Sequence, residues 1–73
     1  MSGQNVTSTP VAVLGTGSIG MRHVRVLGSI PGIVPVAVPV RAARRGSLRA
    51  EGHQVADNLD AAAAMGARRA IIA

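Results

Sequence analysis

The 73-residue chain contains no cysteine, phenylalanine, tyrosine, tryptophan or lysine. Without cysteine it can form neither disulfides nor thiolate metal sites. Without aromatic rings, its core must be assembled from Val, Ile, Leu, Ala and Met, and the bases of a single-stranded nucleic acid find nothing to stack on. Only three acidic residues face eight arginines, for a formal charge of +5. Such an excess can serve a nucleic acid, a membrane surface or a phosphorylated ligand. The lack of lysine beside abundant Arg and Ala reads as compositional bias more than as selection for a polyanion. Long hydrophobic runs are missing too. The most apolar stretch, Ile30 to Val40, is broken by Pro31, Pro35 and Pro39 and is too short to span a bilayer. Residues 1 to 10 have no basic start and no apolar core, so no ordinary secretory signal is expected. A cytoplasmic setting is the simplest expectation, with neither a nucleic acid nor a membrane as partner.

What the chain does have is organised around residues 11 to 20, Val-Ala-Val-Leu-Gly-Thr-Gly-Ser-Ile-Gly. Four apolar residues, Val11 to Leu14, read as a short strand covered on both faces. Gly15, Gly17 and Gly20 follow at the spacing G-x-G-x-x-G, and a helical pattern then runs to about Ile30. Each glycine has a separate task in a dinucleotide-binding turn. Gly15 permits the sharp bend off the strand, Gly17 leaves the backbone bare for a pyrophosphate, and Gly20 lets the helix lie close to the sheet. The first amides of that helix, around Ser18 and Ile19, have no helical partner and suit an anion. A Gly-rich structural turn is the plainer alternative; the strand before and the helix after favour the nucleotide. Gly15, Thr16, Gly17, Ser18, Ile19 and Gly20 are therefore the candidate pyrophosphate-binding residues.

The rest of the chain alternates. Ile19, His23, Val26 or Leu27, and Ile30 recur at helical steps and predict one buried stripe. Gly28 and Pro31-Gly32 end that helix. Ile33 to Val40 predicts a second strand, with regular pairing restricted by Pro35 and Pro39 to about Val36 to Val38. Arg41 to Glu51 reads as a second helix, weakened by Gly46 and carrying Arg41, Arg45 and Arg49 four apart. His53 to Ala56 reads as a short strand toward a sheet edge. Asp57 is the expected N-cap of a helix through Met65, stopped by Gly66, and Ala70 to Ala73 reads as a last strand. Strand and helix in strict alternation argue an α/β fold: a Rossmann-like parallel sheet with right-handed crossovers and helices on both faces, of about four strands and three helices.

Size adds a further expectation. A chain near this length buries only about 60% of its unfolded surface, and a complete dinucleotide-binding domain needs two mononucleotide halves. The reading is thus a loose arm over residues 1–9 and a truncated dinucleotide-binding domain over 10–73, part of a longer protein.

About twenty residues beyond the glycines, an NAD-binding unit places an acidic side chain on the ribose 2′-hydroxyl. Here Val40 stands at that place and accepts nothing. Arg41 follows, with Arg44 and Arg45 one turn on, and a guanidinium can pair with a 2′-phosphate through charge-assisted bonds. Arg41 and Arg45 join the candidate cofactor-binding residues, and the expected cofactor is NADP or NAD, with NADP favoured. The plainer reading makes these arginines a solvated helix face. His23 reads as a packed helix residue and His53 lacks a second ligand at metal spacing. Asp57 and Asp60 read as helix capping, Arg68-Arg69 as a solvated turn and Met65 as core filler. No catalytic or metal-binding residue is assigned.

The run Gly15-Thr16-Gly17-Ser18-Ile19-Gly20-Met21-Arg22-His23-Val24-Arg25-Val26-Leu27 resembles the start of the Gfo/Idh/MocA oxidoreductases, whose pattern is similar to G-x-G-x-x-G-x-x-H-x-x-x-L. Gly15, Gly17, Gly20, His23 and Leu27 match it, and Asp57 to Ala73 is similar to the family's third helix and fourth strand. The resemblance implies NAD(P)-dependent hydride transfer at a hydroxyl or carbonyl carbon of a sugar, cyclitol or related small molecule. Two features depart from the family. Val40-Arg41 replaces its frequent acidic residue, and its catalytic Lys motif and substrate domain lie beyond the fourth strand, while this chain has no Lys. The chain itself is expected to bind nucleotide at most, with the small-molecule substrate belonging to a full-length parent. The alternatives are a non-catalytic nucleotide-sensing module and a truncated product without function.

Overall fold

A computed structural model describes residues 8–73. The expected arm over residues 1–9 lies outside the described residues as far as residue 7. Seven elements alternate along the chain: β1 (Thr9–Leu14), α1 (Ser18–Gly28), β2 (Ile33–Val38), α2 (Ala43–Ala50), β3 (Gln54–Val55), α3 (Leu59–Ala64) and β4 (Ala70–Ile72). The strands form one sheet in the order β3-β2-β1-β4, with every pairing parallel. This is an α/β fold with a Rossmann-like sheet, and the order matches the first four strands of the doubly wound arrangement. Among the described residues, no helix is long and apolar enough to cross a membrane.

The strand order explains where the helices lie. From β1 to β3 the chain steps one way across the sheet, then returns past β1 to β4. Right-handed crossovers therefore put α1 and α2 on one face and α3 on the other. Side-chain alternation along the strands sorts the core in the same way. Ala12, Val36, Val38 and Ala56 pack with Ala62 of α3, joined by Leu14, Ala61 and Ala67. Ala37 and Val55 pack with Leu48 of α2, joined by Met21 of α1. Both clusters are thin and wholly aliphatic, so each buried methyl group carries weight. Leu48 is the largest fully buried side chain.

Regular pairing of β2 ends at Val38, before Pro39, as the prolines predict, but it starts earlier than expected. β2 pairs with β1 along its whole length, from Ile33 opposite Thr9 to Val38 opposite Leu14, with Pro35 inside the run. The reason is the direction in which the missing amide would point. The Val38 carbonyl accepts from Gly15 across the β1 side, while the Ala37 carbonyl accepts from Ala56 on the β3 side. Alternation then aims the Pro35 nitrogen toward β3, and β3 pairing begins only at Val36 opposite Gln54. No ladder bond is lost. Pro10 is tolerated in β1 on the same ground. The Ala12 amide donates toward β4, to Arg69, so the Pro10 nitrogen also faces that side, where pairing begins at Ala12 opposite Ala70.

The buried stripe of α1 is rotated from the one the periodicity predicts. Gly20 and Val24 are buried, with Met21, His23 and Leu27 half-buried, whereas Ile19, Val26 and Ile30 are exposed. Backbone proximity overrides hydrophobic pattern here. A Cβ on Gly20 would overlap the Gly15 carbonyl, so this glycine can be pressed onto the turn as no larger residue could. That contact sets the helix rotation and turns Ile19, 66% exposed, to solvent.

Two further corrections concern the later helices. The second helix begins at Ala43 instead of Arg41. The N-cap of α3 is Asn58, whose Oδ1 accepts from the Ala61 amide at 2.7 Å, and not Asp57. Asn58 sits three residues before Ala61, the reach a capping side chain needs. Asp57 is thereby left free for other partners.

Candidate functional site

The turn between β1 and α1 is built by backbone geometry. Gly15 has φ +94°, a left-handed conformation open to glycine at little cost, and its amide donates to the Val38 carbonyl at 3.0 Å. Gly17 is the N-cap of α1, and no side chain caps the helix there. The Met21 amide donates back to the Gly17 carbonyl at 2.9 Å. The preceding amides, of Ser18, Ile19 and Gly20, therefore have no carbonyl within the helix to bond. The first turn also holds no acidic residue to occupy the positive end of the helix dipole. A Cβ placed on Gly17 would meet nothing within 4 Å, so open space lies directly over the bare backbone.

An open cavity of about 370 Å3 adjoins this turn, lined by Gly15, Thr16, Gly17, Val40, Arg41 and Arg44. A neighbouring one of about 300 Å3 is lined by Gly15, Gly17, Ser18, Ile19, Gly20 and Ala73. Both lie outside the carboxyl ends of the strands: the first over the ends of β1 and β2, the second beside the β1/β4 junction where the strand order reverses. In doubly wound sheets, ligands settle in that crevice. A third cavity, about 490 Å3, continues past Leu14 and Val40 to Asp57 and Asn58.

Of the residues expected to contact a cofactor, the structure brings together Gly15, Thr16, Gly17 and Arg41 around one cavity and Ser18, Ile19 and Gly20 around the next. Arg45 is placed elsewhere. Its Nε lies 3.4 Å from Asp57 Oδ1, and Arg49 Nη2 lies 3.6 Å from the same oxygen. The position beside Arg41 is taken by Arg44, whose Nη2 donates to the Thr16 carbonyl at 3.3 Å. Spacing alone does not separate the two pairs. Helical spacing puts Arg41, Arg45 and Arg49 in one row, but α2 begins only at Ala43, so Arg41 lies outside the helix and is not held on the side of Arg45 and Arg49. The role of Asp57 as their common partner has no sequence signal, because its position before the helix reads as a cap. Both ion pairs share the exposed Asp57 carboxylate and contribute little to stability, although the Arg45 Nε itself is buried and makes no hydrogen bond.

The donor set fits an anionic dinucleotide. Three outward amides at a helix N-terminus, bare space over Gly17 and two guanidinium groups on the same cavity suit a diphosphate and a second phosphate nearby. Val40, two residues beyond the end of β2 and 79% exposed, has a side chain with no acceptor for a ribose hydroxyl. His53 lies apart, with Nε2 3.6 Å from Glu51 Oε1. Among the described residues, no three His, Asp or Glu side chains gather in a way that could hold a metal ion. No family model matches the chain, and neither a curated protein nor a solved structure matches it.

Proposed function

We propose that this chain is the dinucleotide-binding portion of an NAD(P)-dependent oxidoreductase of the Gfo/Idh/MocA type, acting in the cytoplasm, with NADP(H) preferred over NAD(H). The observation that carries the binding part is the opening of the uncapped α1 N-terminus and of Arg41 and Arg44 into adjoining space. Ser18, Ile19 and Gly20 would donate their amides to the diphosphate. Arg41 and Arg44 would take the 2′-phosphate that separates the two coenzymes, since Val40 cannot read an unmodified ribose. When bound, the nicotinamide supplies hydride transfer, and the role of this chain is to hold and orient it. The sugar- or cyclitol-like substrate rests on the resemblance of residues 15 to 27 to that family. No residue of the chain is assigned to the chemical step.

Isothermal titration of the chain with NADP+ and NAD+, for the wild type and Arg41→Ala, tests the reading. The expected result is tighter binding of NADP+, weakened about ten- to a hundredfold by the substitution through loss of a charge-assisted bond, with NAD+ unaffected. Equal affinities that ignore the substitution remove the NADP preference. Binding of neither coenzyme to the wild type removes the nucleotide reading altogether.

A further inference from the structure

Arg44 does more than line a cavity, because it spans two elements that the sequence holds 28 residues apart. Its Nη2 donates to the Thr16 carbonyl, in the middle of the glycine turn, while its backbone belongs to the first turn of α2. Thr16 is itself buried, and the bond is shielded in part from water. The turn has few other restraints. Gly15 is tied to Val38 and Gly17 to Met21, both through the backbone, and the segment between them is held from outside by Arg44. Arg45 and Arg49 are engaged by Asp57, so among the described residues the guanidinium that reaches the turn is that of Arg44.

A guanidinium carries five N–H donors in a fixed fork, so one can stay on the Thr16 carbonyl while others face a ligand. We infer that Arg44 is a positioning residue for the glycine turn as well as a ligand contact: it holds the diphosphate cradle in its binding shape even for a coenzyme with no 2′-phosphate. This rests on the nucleotide reading above and adds to it. Arg41 lines the same cavity but makes no bond to the turn, so it discriminates between coenzymes without shaping the cradle. The two arginines thus divide the work, one reading the extra phosphate and the other joining that reading to the turn.

The two roles separate in the affinity for NAD+, which lacks the 2′-phosphate. Titrations with NAD+ and NADP+ compare the wild type with Arg41→Met, Arg44→Met and Arg44→Lys, each first checked for its circular dichroism and thermal melt. Arg44→Met is expected to weaken NAD+ about tenfold, the loss of one hydrogen bond from a charged group, and NADP+ by more. Arg44→Lys, which keeps a donor on a long stem, is expected to restore NAD+ affinity to near the wild-type value while leaving NADP+ impaired, since an ammonium cannot fork between carbonyl and phosphate. Arg41→Met should weaken NADP+ alone. A purely structural defect at position 44 would lower the melt and would not show this split between coenzymes on rescue. If Arg44→Met binds NAD+ as the wild type does, or if Arg44→Lys fails to restore it, the positioning role is overturned. A wild type that binds neither coenzyme overturns the nucleotide reading beneath it, and that outcome shows in the first titration.

Discussion

Gly17 and Gly20 belong to one motif, yet the structure gives them opposite responses to the same added methyl group. A Cβ on Gly17 meets no atom within 4 Å, and the residue sits at φ −73°, which any L-residue adopts. Gly17→Ala should therefore cost at most about 1 kcal/mol, mainly because alanine is a poorer N-cap than glycine. Its methyl would stand where a diphosphate must approach the Ser18, Ile19 and Gly20 amides. Losing two hydrogen bonds to a charged group, at about 1.5–3 kcal/mol each, weakens binding roughly a hundredfold or more. Gly20→Ala behaves otherwise. Its methyl would overlap the Gly15 carbonyl, with the carbonyl carbon 2.8 Å away, and backbone on both sides must move. Overpacking of that kind costs about 1–3 kcal/mol, and each kcal/mol lowers the melting temperature of a domain this size by about 4–8 °C. Thermal melts by circular dichroism, paired with titration by NADP+, separate the two cases. Gly17→Ala should melt near the wild type and fail to bind, whereas Gly20→Ala should melt well below it. A reversed pattern, with Gly17→Ala unstable and Gly20→Ala indifferent, would refute the account of how the turn is built. Undiminished binding by Gly17→Ala would refute the placement of the diphosphate.

Three further outcomes follow from the packing. Leu48→Ala removes the largest fully buried side chain and should cost about 2–5 kcal/mol, enough to leave a domain of this size largely unfolded by far-ultraviolet circular dichroism at 37 °C. Asn58→Ala removes the α3 cap and should cost about 1 kcal/mol, read as a melting temperature lowered by several degrees. Asp57→Asn releases Arg45 and Arg49 from their one shared partner, which is 57% exposed, so its effect on the melt should stay within about 1 kcal/mol; a larger drop would mean that the carboxylate tying α2 to the loop before α3 is a main support of the fold.

The order of strands and helices, the parallel sheet and the position of the glycine turn were all legible in the residues themselves. Each depends on short-range physics: the period of apolar residues, the turn-forming power of Gly and Pro, and the need for a bare backbone where a helix leaves a strand. The N-cap of α3 sits at the limit of such reasoning, since Asp57 and Asn58 are both good caps, and only the approach of Asn58 Oδ1 to the Ala61 amide decides between them.

What the residues alone could not determine was settled by how the elements meet. The rotation of α1 follows from the pressing of Gly20 against Gly15, so the apolar stripe read from spacing lost to a backbone contact between residues on different elements. The toleration of Pro35 within β2 depends on where β3 happens to begin. Which arginine faces the cavity depends on the carboxylate of Asp57 and the carbonyl of Thr16, groups brought to α2 by the sheet. A sequence specifies local geometry and chemical type at each position. The partner each side chain finds is a property of distances between elements far apart in the chain, and those exist only once the sheet has formed.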